Sequence, residues 1–402
     1  MSTPRLDGAP ARLRSLVDDL QRAGAIRSAV WAEAFAKVPR HVFVPEWYGQ
    51  EADSRGITVW RRHTAADRDA AADRDAWETA VYSDQTLVTA LDPDTAERVD
   101  ERAWTGIPTS SSTLPSLMAR MLEELDVADG HRVLEVGTGT GYNAALLCAR
   151  LGDRLVYSVD VSPELVEVAR GRLASAGYRP HLADGDGQQG FPGHPAPFDR
   201  IIATCSVPRI PAAWIEQTRP GGAILADVSL GIEGGLVRLT VDEDGRAVGH
   251  FTTTTGRFMA ARSDAHAYRH PGRAPYAPQD GSRSSSLTAA DIRAHYAFRL
   301  LLAFHLPGTE LVYHMDDDTG AMSLQLQGRD GTWARAPIAD EHTTTVTYGG
   351  SADLWRRAEA AWRWWNDHGR PAQDHFGYTR EADGHHYAWH IPDGRHRWPL
   401  EP

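Results

Sequence analysis

Residues 133–142 read VLEVGTGTGY, and this stretch decides the fold class of the chain. An apolar run passes directly into three glycines at alternate positions. Glycine lets a backbone turn sharply and approach a ligand closely. The spacing departs from the Gly-x-Gly-x-x-Gly of dinucleotide sites, and no Lys-Ser/Thr follows as in a phosphate-binding P-loop. The stretch therefore predicts a buried strand, a ligand-binding turn and a helix.

Two acidic features follow at the ends of later apolar runs. The run 155–159 ends at Asp160, nineteen residues beyond Gly141, where a carboxylate can accept hydrogen bonds from ribose hydroxyls. The sequence DGDG at 184–187 precedes another apolar run and suits contacts with an adenine ring. Each feature alone has an ordinary turn as its alternative, whereas all three in order favour a nucleoside-containing ligand.

Between about residues 116 and 262, apolar runs alternate with stretches of helical periodicity. The runs are 132–136, 155–159, 199–204 and 222–227, and the helical stretches are 116–126, 143–150, 163–175 and 211–217. Strands that alternate with helices predict a mostly parallel sheet covered on both faces. Because crossovers between parallel strands are right-handed, we expect an α/β fold with a doubly wound, Rossmann-like sheet.

A chain of 402 residues is long enough for two or three domains. We expect an N-terminal helical segment with an insertion (1–110), the ligand-binding core (111–262), a linker (263–287) and an added C-terminal α+β domain (288–402). Helices are predicted at 11–24, 28–37, 289–305 and 352–367, short strands within 309–348, and a hairpin turn at 383–384. The tandem copies of AADRDA at 65–70 and 71–76 are rich in charge, which predicts a short exposed helix or a surface loop.

Composition excludes several classes of protein. The formal net charge is −12, and phosphate binding requires clustered Lys and Arg, so we expect no nucleic-acid partner. No run approaches the roughly 18 apolar residues of a membrane span, and no signal peptide is apparent, which predicts a cytoplasmic protein without a membrane partner. Cys148 and Cys205 form no Cys-x-x-Cys pair, so we expect a reducing compartment and no metal site.

Several stretches together resemble the motif series of the protein-L-isoaspartate O-methyltransferase family. They are VPRHVFVPEWY at 38–48, VLEVGTGTGYNAALL at 133–147, VYSVDVSPELVEVAR at 156–170, DGDGQQGF at 184–191 and FDRIIATCSVPRIPAAWIEQTRPGGAIL at 198–225. The resemblance covers roughly residues 11–262. It implies a class I S-adenosylmethionine-dependent methyltransferase fold and an enzyme that methylates a side-chain or isoaspartyl carboxylate. The implied cofactor is S-adenosylmethionine, with S-adenosylhomocysteine as its product and no metal.

The resemblance also implies roles for individual residues. Gly137, Gly139 and Gly141 line the methionine end of the cofactor, Asp160 binds its ribose and Asp186 its adenine. Further cofactor-binding positions in the same motifs are Glu135, Thr138, Tyr142, Val161 and Gly187. Positions implied to bind the substrate are Pro115, Cys205, Ser206, Val207 and Pro208.

The catalytic segment departs from the family pattern. The family carries a serine two residues before a proline, and here Thr113 takes that place, with Ser111 and Ser112 as neighbours that can share its task. Threonine keeps the hydroxyl but stiffens the side chain. A substrate carboxylate is already ionised at pH 7, so the reaction requires no general base. We expect Thr113 to orient that carboxylate by a hydrogen bond.

The added domain and the altered segment favour a variant group of this family that acts on ribosomally made peptides such as lanthipeptides, lasso peptides and graspetides. Such an enzyme methylates an aspartate in a cyclised peptide, and the ester closes to a succinimide (aspartimide), which can open to isoaspartate. The expected partner is then a modified precursor peptide, bound in part by 288–402, and the protein is a monomer or a weak homodimer. The alternatives are ordinary isoaspartyl repair, a small-molecule carboxylate methyltransferase and a non-catalytic fold that grips a peptide.

Overall fold

The computed structural model describes residues 9–52, 56–64, 71–193, 197–264, 266, 274–316, 319–339 and 343–400. The chain forms two compact units. The first consists of Met1–Ser206, Pro211–Ala226 and Phe258–Tyr268, and the second of Val207–Ile210, Asp227–Arg257 and Arg269–Pro402. The predicted segments 1–110 and most of 111–262 therefore belong to one unit rather than two.

The first unit contains eight of the helices that the described residues form. They are α1 (Ala9–Arg22), α2 (Ala29–Lys37), α3 (Arg40–Phe43), α4 (Ala71–Val81), α5 (Pro115–Glu124), α6 (Tyr142–Leu151), α7 (Pro163–Ser175) and α8 (Ala212–Glu216). The strands are β1 (Glu46–Ala52), β2 (Thr58–Thr64), β3 (Leu87–Leu91), β4 (Ala103–Trp104), β5 (Pro108–Ser112), β6 (Val133–Val136), β7 (Val156–Asp160), β8 (His181–Asp184), β9 (Phe198–Val207) and β10 (Thr218–Ser229). Single turns of 3-10 helix lie at Asp153–Leu155 and Gly187–Gln189.

The predicted α/β core is confirmed. Strands β8, β7, β6 and β9 are neighbours in that order and pair in parallel, and β10 follows β9. All four residues of β6 are buried, as expected for a parallel strand covered on both faces. Helix α7 begins where the sequence predicts, because Pro163 occupies its first turn and the Ser162 side chain accepts a hydrogen bond from the Leu165 amide.

The prediction that 1–110 is helical apart from an insertion is wrong in part. Strands β4, β2, β1, β3 and β5 form a five-stranded sheet in that order, with antiparallel pairing. These strands are short and mostly half-buried, so the strict alternation of apolar and polar residues is absent. The second copy of the tandem repeat begins α4, whereas the first copy, 65–70, lies outside the described residues.

The second unit contains three described helices, α9 (Ala289–Ala294), α10 (Tyr296–His305) and α11 (Asp353–Asp367). Its strands are β11 (Gly234–Val241), β12 (Ala247–Phe251), β13 (Gln279–Ser285), β14 (Glu310–Met315), β15 (Met322–Gln327), β16 (Trp333–Pro337), β17 (Thr344–Gly349), β18 (Phe376–Arg380), β19 (His386–His390) and β20 (Arg397–Pro399), with a 3-10 turn at Gln373–His375. Strands β11, β12, β18, β19 and β20 are antiparallel neighbours in that order. A separate sheet has the order β13-β17-β16-β15-β14.

Two predictions for this unit need correction. The stretch 263–287, predicted as a linker, contains β13. The side chains of β13 are mostly polar, and its backbone is held as a strand by antiparallel pairing with β17. The single helix predicted for 289–305 is broken at His295, whose extended backbone separates α9 from α10. The Thr288 cap, helix α11 and the hairpin between β18 and β19 agree with the sequence. Within the described ranges, no helix has both the length and the apolar character needed to cross a bilayer.

Candidate functional site

The glycine turn after β6 adopts backbone angles that L-residues rarely take. Gly137, Gly139 and Gly141 have φ of +100°, +50° and +86°. A Cβ on Gly137 would lie 2.5 Å from Thr204 Oγ1, and one on Gly141 would lie 3.2 Å from the Cβ of Ala169 in α7. At Gly139 the closest atom would be 3.6 Å away. The outer glycines are therefore required for packing, whereas a Cβ at Gly139 would be in ordinary van der Waals contact with Ser110.

Asp160, at the end of β7, holds this turn in place. Its Oδ2 accepts a hydrogen bond from the Gly139 amide at 2.8 Å, and its Oδ1 accepts one from the Ser162 amide at 3.1 Å. The residue is only 7% exposed. A carboxylate offers about four lone-pair sites, so two remain for hydroxyl donors of a ligand. Val161, the next residue, is half-buried.

Glu135 lies beneath the turn in a closed polar network. Asn143 Nδ2 donates to Oε1 at 2.8 Å, and Ser158 Oγ donates to Oε2 at 2.6 Å. The Thr138 and Ser158 hydroxyls are 2.6 Å apart. Complete burial raises the pKa of Glu135 to about 7, against the opposing effect of the hydrogen bonds from Ser158 and Asn143. Glu135 and Thr138 thus support the turn from inside the protein.

The DGDG stretch forms the adjoining rim. Asp186 Oδ1 accepts a hydrogen bond from the Gln188 amide at 2.9 Å and so caps the short 3-10 turn. Gly187 packs so closely that a Cβ would lie 2.5 Å from Val136 Cγ1, and its carbonyl accepts a hydrogen bond from Trp214 Nε1 at 2.8 Å. Gly187 is buried, whereas Asp186 is half-buried and within reach of a ligand.

Strand β5 brings the predicted catalytic segment to the glycine turn. A Cβ on Gly139 would lie 3.6 Å from Ser110 Oγ and 4.0 Å from the Ser111 carbonyl oxygen. Ser110 was not among the residues predicted from the sequence, and its hydroxyl also accepts a hydrogen bond from Thr89 at 3.1 Å. Ser111 and Thr113 are half-buried, and Pro115 begins α5. The hydroxyl-rich strand therefore lies directly beside the turn.

Arg40 fixes this segment from behind. The side chain is completely buried, and its guanidinium donates hydrogen bonds to both oxygens of Ser112 and to the Thr113 carbonyl, all at 3.2–3.3 Å. It also donates to the carbonyls of the 81–85 turn. Burial lowers the pKa of Arg40 to about 10, which leaves it charged at neutral pH. The Ser112 hydroxyl is thereby committed to structure. Arg40 lies in the family-like stretch 38–48, but nothing in the sequence indicates that it contacts Ser112 and Thr113.

Tyr142 belongs to the same layer as Arg40. The Arg40 guanidinium lies 5.9 Å from the centre of the Tyr142 ring, which also contacts Phe35 and Phe43. Tyr142 is 3% exposed, and burial raises the pKa of its hydroxyl to about 12. Its aromatic ring is therefore part of the packing beneath the site.

Of the residues predicted to bind substrate near the end of β9, Cys205, Ser206 and Val207 lie within the strand and Pro208 follows it. Cys205 Sγ lies 3.9 Å from the Val136 carbonyl oxygen. Ser206 forms backbone hydrogen bonds with Met259 and Ala261, and its buried hydroxyl has no hydrogen-bond partner among the described residues. Val207 and Pro208 fall in the second unit. Thr204, which the sequence did not single out, donates a hydrogen bond to the Gly137 carbonyl at 2.7 Å.

Two groups of potential metal ligands lie elsewhere in the described residues. One is His368, Asp393 and His396, and the other is Asp92, Asp94 and His266; in each, the ligand atoms lie within 4.8 Å of one another. In the first group His368 and His396 are exposed, and Asp393 already accepts hydrogen bonds from His390 and His396. We assign no ion to either group.

The arrangement fits the cofactor that the sequence resemblance implies. The three glycines of the turn carry no side chains and let a ligand approach the backbone closely, and the remaining lone pairs of Asp160 can accept ribose hydroxyls. Asp186 lies at the end of the neighbouring strand, where the sequence predicts adenine contacts.

Comparisons with known proteins agree with this geometry. The family model described as protein-L-isoaspartate(D-aspartate) O-methyltransferase matches residues 65–264. The protein-L-isoaspartate O-methyltransferase of Thermococcus onnurineus is 34% identical over 214 residues, which are 53% of this chain and 76% of that protein. The enzyme of the same name from Pyrococcus abyssi is 33% identical over 219 residues, 54% of this chain and 79% of that protein.

A solved structure named protein-L-isoaspartate O-methyltransferase shares the fold with a TM-score of 0.50 at 20% identity. The alignment covers 93% of this chain and 98% of that structure. The aligned part is therefore longer than residues 1–262.

Proposed function

Because the chain belongs to the protein-L-isoaspartate O-methyltransferase family, we propose that its first unit transfers a methyl group from S-adenosylmethionine to a side-chain or isoaspartyl carboxylate of a protein or peptide. The observation that carries this proposal is the contact between β5 and the glycine turn. Ser110 and Ser111 lie beside Gly139, so a carboxylate held by this strand would meet the methyl donor.

Within this site we assign the cofactor to the turn and the two strand ends that follow it. Gly137, Gly139 and Gly141 shape the cleft, and Asp160 accepts the ribose hydroxyls. Asp186 takes the adenine. When bound, S-adenosylmethionine supplies a methyl group on a positively charged sulfur.

The reaction places few demands on protein side chains. A carboxylate oxygen of the substrate forms a bond to the methyl carbon as the methyl–sulfur bond breaks and S-adenosylhomocysteine leaves. The carboxylate is ionised at pH 7, so no residue has to remove a proton. The chain contributes alignment and exclusion of water, which can together lower a barrier by roughly 7–11 kcal/mol. Arg40 supports that alignment because it fixes the backbone of Ser112 and Thr113.

Thr113 is the hydroxyl that we assign to the substrate carboxylate, with Ser111 as its neighbour. Both side chains are half-buried at the end of β5, whereas the Ser112 hydroxyl is occupied by Arg40. Ser110 is added to the set because of its distance to Gly139.

The comparisons support an isoaspartyl residue as the substrate, because the matched relatives are named protein-L-isoaspartate O-methyltransferases. Methylation of isoaspartate produces an ester that the next backbone amide nitrogen attacks. Methanol leaves, a succinimide forms, and water opens it to aspartate or isoaspartate.

The second candidate is an aspartate in a cyclised ribosomal peptide, whose ester closes to the same type of imide. Thr113 in place of the family's serine supports it. The C-terminal unit gives this second candidate less support than we expected from the sequence, because a solved structure named protein-L-isoaspartate O-methyltransferase aligns with 93% of this chain. For either substrate, we propose that 288–402 binds peptide and that the protein works as a monomer or a weak homodimer.

The test is mass spectrometry with S-adenosylmethionine on two substrates side by side, a linear isoaspartyl peptide and the cyclised peptide encoded nearest to this gene. Methylation of the linear peptide supports isoaspartyl repair. A methyl gain, or loss of one water through the ester, on the cyclised peptide alone supports the second candidate. Bound cofactor without product on either substrate would indicate the small-molecule or non-catalytic alternatives.

A further inference from the structure

Helix α5, which follows Thr113, begins without a cap of its own. Its N-cap residue is Leu114, whose side chain has no hydrogen-bond acceptor, and Pro115 at the first helical position has no amide hydrogen. The first amides of a helix have no partner within it, so the amide of Ser116 needs an acceptor from elsewhere. The position of Thr113, immediately before this helix start, therefore depends on contacts from other parts of the chain.

The acceptor is Asp84, which lies 32 positions before Ser116 in the chain. Its Oδ1 accepts a hydrogen bond from the Ser116 amide at 2.8 Å. Two residues further along, the Thr86 hydroxyl accepts a hydrogen bond from the Leu114 amide at 3.1 Å. A carboxylate at the first amides of a helix also meets the positive end of the helix dipole, which strengthens the contact. The turn 83–86 thus supplies the cap that Leu114 lacks.

This turn is itself held by the end of α4 and by α3. The Ser83 hydroxyl donates a hydrogen bond to the Ala80 carbonyl at 2.9 Å. Just before the turn, the Tyr82 hydroxyl lies 2.5 Å from His41 Nδ1. Burial lowers the pKa of His41, so its ring is neutral at pH 7 and can accept a hydrogen bond from the Tyr82 hydroxyl. Asp84 therefore reaches α5 from a fixed position.

Arg40 connects the same turn to Thr113 directly. Its guanidinium donates hydrogen bonds to the carbonyls of Ser83, Gln85 and Thr113. Burial lowers the pKa of Arg40, whereas the negative charge of Asp84 is among the influences that raise it. The turn is thus linked to the Thr113 backbone through Arg40 and to the helix that follows it through Asp84.

We propose that Asp84 is a positioning residue for methyl transfer, which holds the start of α5 so that the Thr113 hydroxyl meets the substrate carboxylate. The role of Asp84 rests on the proposed function, because it acts only through Thr113. Asp84 Oδ1 is occupied by the Ser116 amide, so this carboxylate orients the helix start rather than the substrate. Loss of this one acceptor should therefore change the rate of methyl transfer and leave the binding of S-adenosylmethionine unchanged.

The test compares kcat values on whichever of the two peptide substrates the wild type methylates, at a temperature where calorimetry shows each variant to be folded. Small misplacements in an active site can cost about 100-fold, but water can partly replace Asp84 in this exposed turn, so we expect Asp84→Ala to lower kcat by about tenfold. Asp84→Asn keeps an oxygen acceptor and should restore most of the rate. Thr288→Ala, which removes the cap of α9, is the matched control and should leave kcat unchanged.

A double-mutant cycle separates positioning from a general loss of stability. If Asp84 acts through Thr113, Asp84→Ala should have little further effect on kcat in a Thr113→Ala chain, because the group that it positions is already gone. Independent effects of the two substitutions would multiply, and that result would overturn the proposal.

The outcomes also distinguish this proposal from the proposed function. A wild-type chain that methylates a peptide, together with an undiminished kcat in Asp84→Ala, would refute the role of Asp84 alone. Failure of the wild-type chain to methylate either the linear or the cyclised peptide would refute the methyl-transfer assignment and the role of Asp84 with it.

Discussion

Replacement of Arg40 by lysine tests how much of the site depends on one buried side chain. Arg40 contacts six oxygens, which are the carbonyls of Val81, Ser83, Gln85, Ser112 and Thr113 and the Ser112 hydroxyl. A lysine ammonium has three donors, so at least three of these oxygens lose their partner. The substitution keeps the charge, and the loss therefore reports hydrogen-bond geometry.

The magnitude follows from these contacts. An unsatisfied buried acceptor costs about 1–3 kcal/mol, and water can reach the part-buried carbonyls of Ser83, Gln85 and Thr113. We therefore expect the low end of the range, about 3 kcal/mol, for Arg40→Lys. For a cooperative unit of this size the transition temperature should fall by about 6–12 °C. Loss of the hydrogen bond from Arg40 to the Thr113 carbonyl should let Thr113 shift, and the methylation rate should fall by roughly 100-fold, as expected for small misplacements in an active site.

The assay combines differential scanning calorimetry with methyl transfer to a linear isoaspartyl peptide at a temperature where the variant is folded. Arg22→Lys is the matched control, because Arg22 is 73% exposed and pairs only with the neighbouring Asp19 in the described structure. It should change stability by less than about 0.5 kcal/mol. If Arg40→Lys keeps the wild-type transition temperature and methylation rate, the hydrogen bonds of Arg40 do not hold Ser112 and Thr113 in the way that we infer.

Three further predictions follow from the site. Gly139→Ala should weaken S-adenosylmethionine binding by roughly tenfold in calorimetric titration, because φ at Gly139 is +50° and an L-residue in the left-handed region costs about 1–2 kcal/mol, which shifts the turn. Gly24→Ala, at φ +66° with no atom within 4 Å of the added carbon, should leave binding unchanged. The pKa of Glu135 is about 7 in the folded protein, against an ordinary value of 4.5. Its contribution to the free energy of unfolding is therefore complete below pH 4.5 and is lost as the pH rises through 7. Urea unfolding should show that the wild type loses about 3 kcal/mol of stability over this pH range and that Glu135→Gln loses none. Thr113→Ala should lower kcat by about tenfold or more while the Kd of S-adenosylmethionine stays constant, because the hydrogen bond to the substrate carboxylate is lost. Thr113→Ser keeps the hydroxyl and should retain activity. A wild-type kcat in the alanine variant would show that Thr113 does not orient the substrate carboxylate.

The sequence predicted the elements whose residues carry a strong local pattern. Strand β6 is apolar at three of its four positions and passes into glycines, and α7 begins with a serine cap and a proline, so both were found with accurate bounds. Strand β13 was missed because its residues, QDGSRSS, resemble a loop and are held as a strand by pairing with β17. The break at His295 was also missed, because helical periodicity continues on both sides of it.

The candidate site shows the same limit. The glycine turn and Asp160 are close in sequence and could be paired by spacing alone, and the structure joins them by a 2.8 Å hydrogen bond. Arg40 meets Ser112 from 72 positions away, and spacing contains no information about such a contact. Ser110 does not fall on the family's serine position, which Thr113 occupies, and only the fold of β5 shows that Ser110 lies beside Gly139.

The choice between an isoaspartyl substrate and a cyclised peptide depends on two features of the chain, the C-terminal unit and Thr113. The added C-terminal residues favoured a cyclised peptide as long as they were treated as particular to this chain. A solved structure that bears the isoaspartyl name aligns with 93% of the chain, which shows a shared fold over most of its length. What remains is Thr113, whose extra methyl group narrows the space beside the hydroxyl. The proposed reaction needs no general base, because a carboxylate is ionised at pH 7, and its chemistry therefore suits any carboxylate that β5 can hold. We therefore expect discrimination between substrates to come from the shape around Thr113 and from contacts of the substrate far from the reacting atoms.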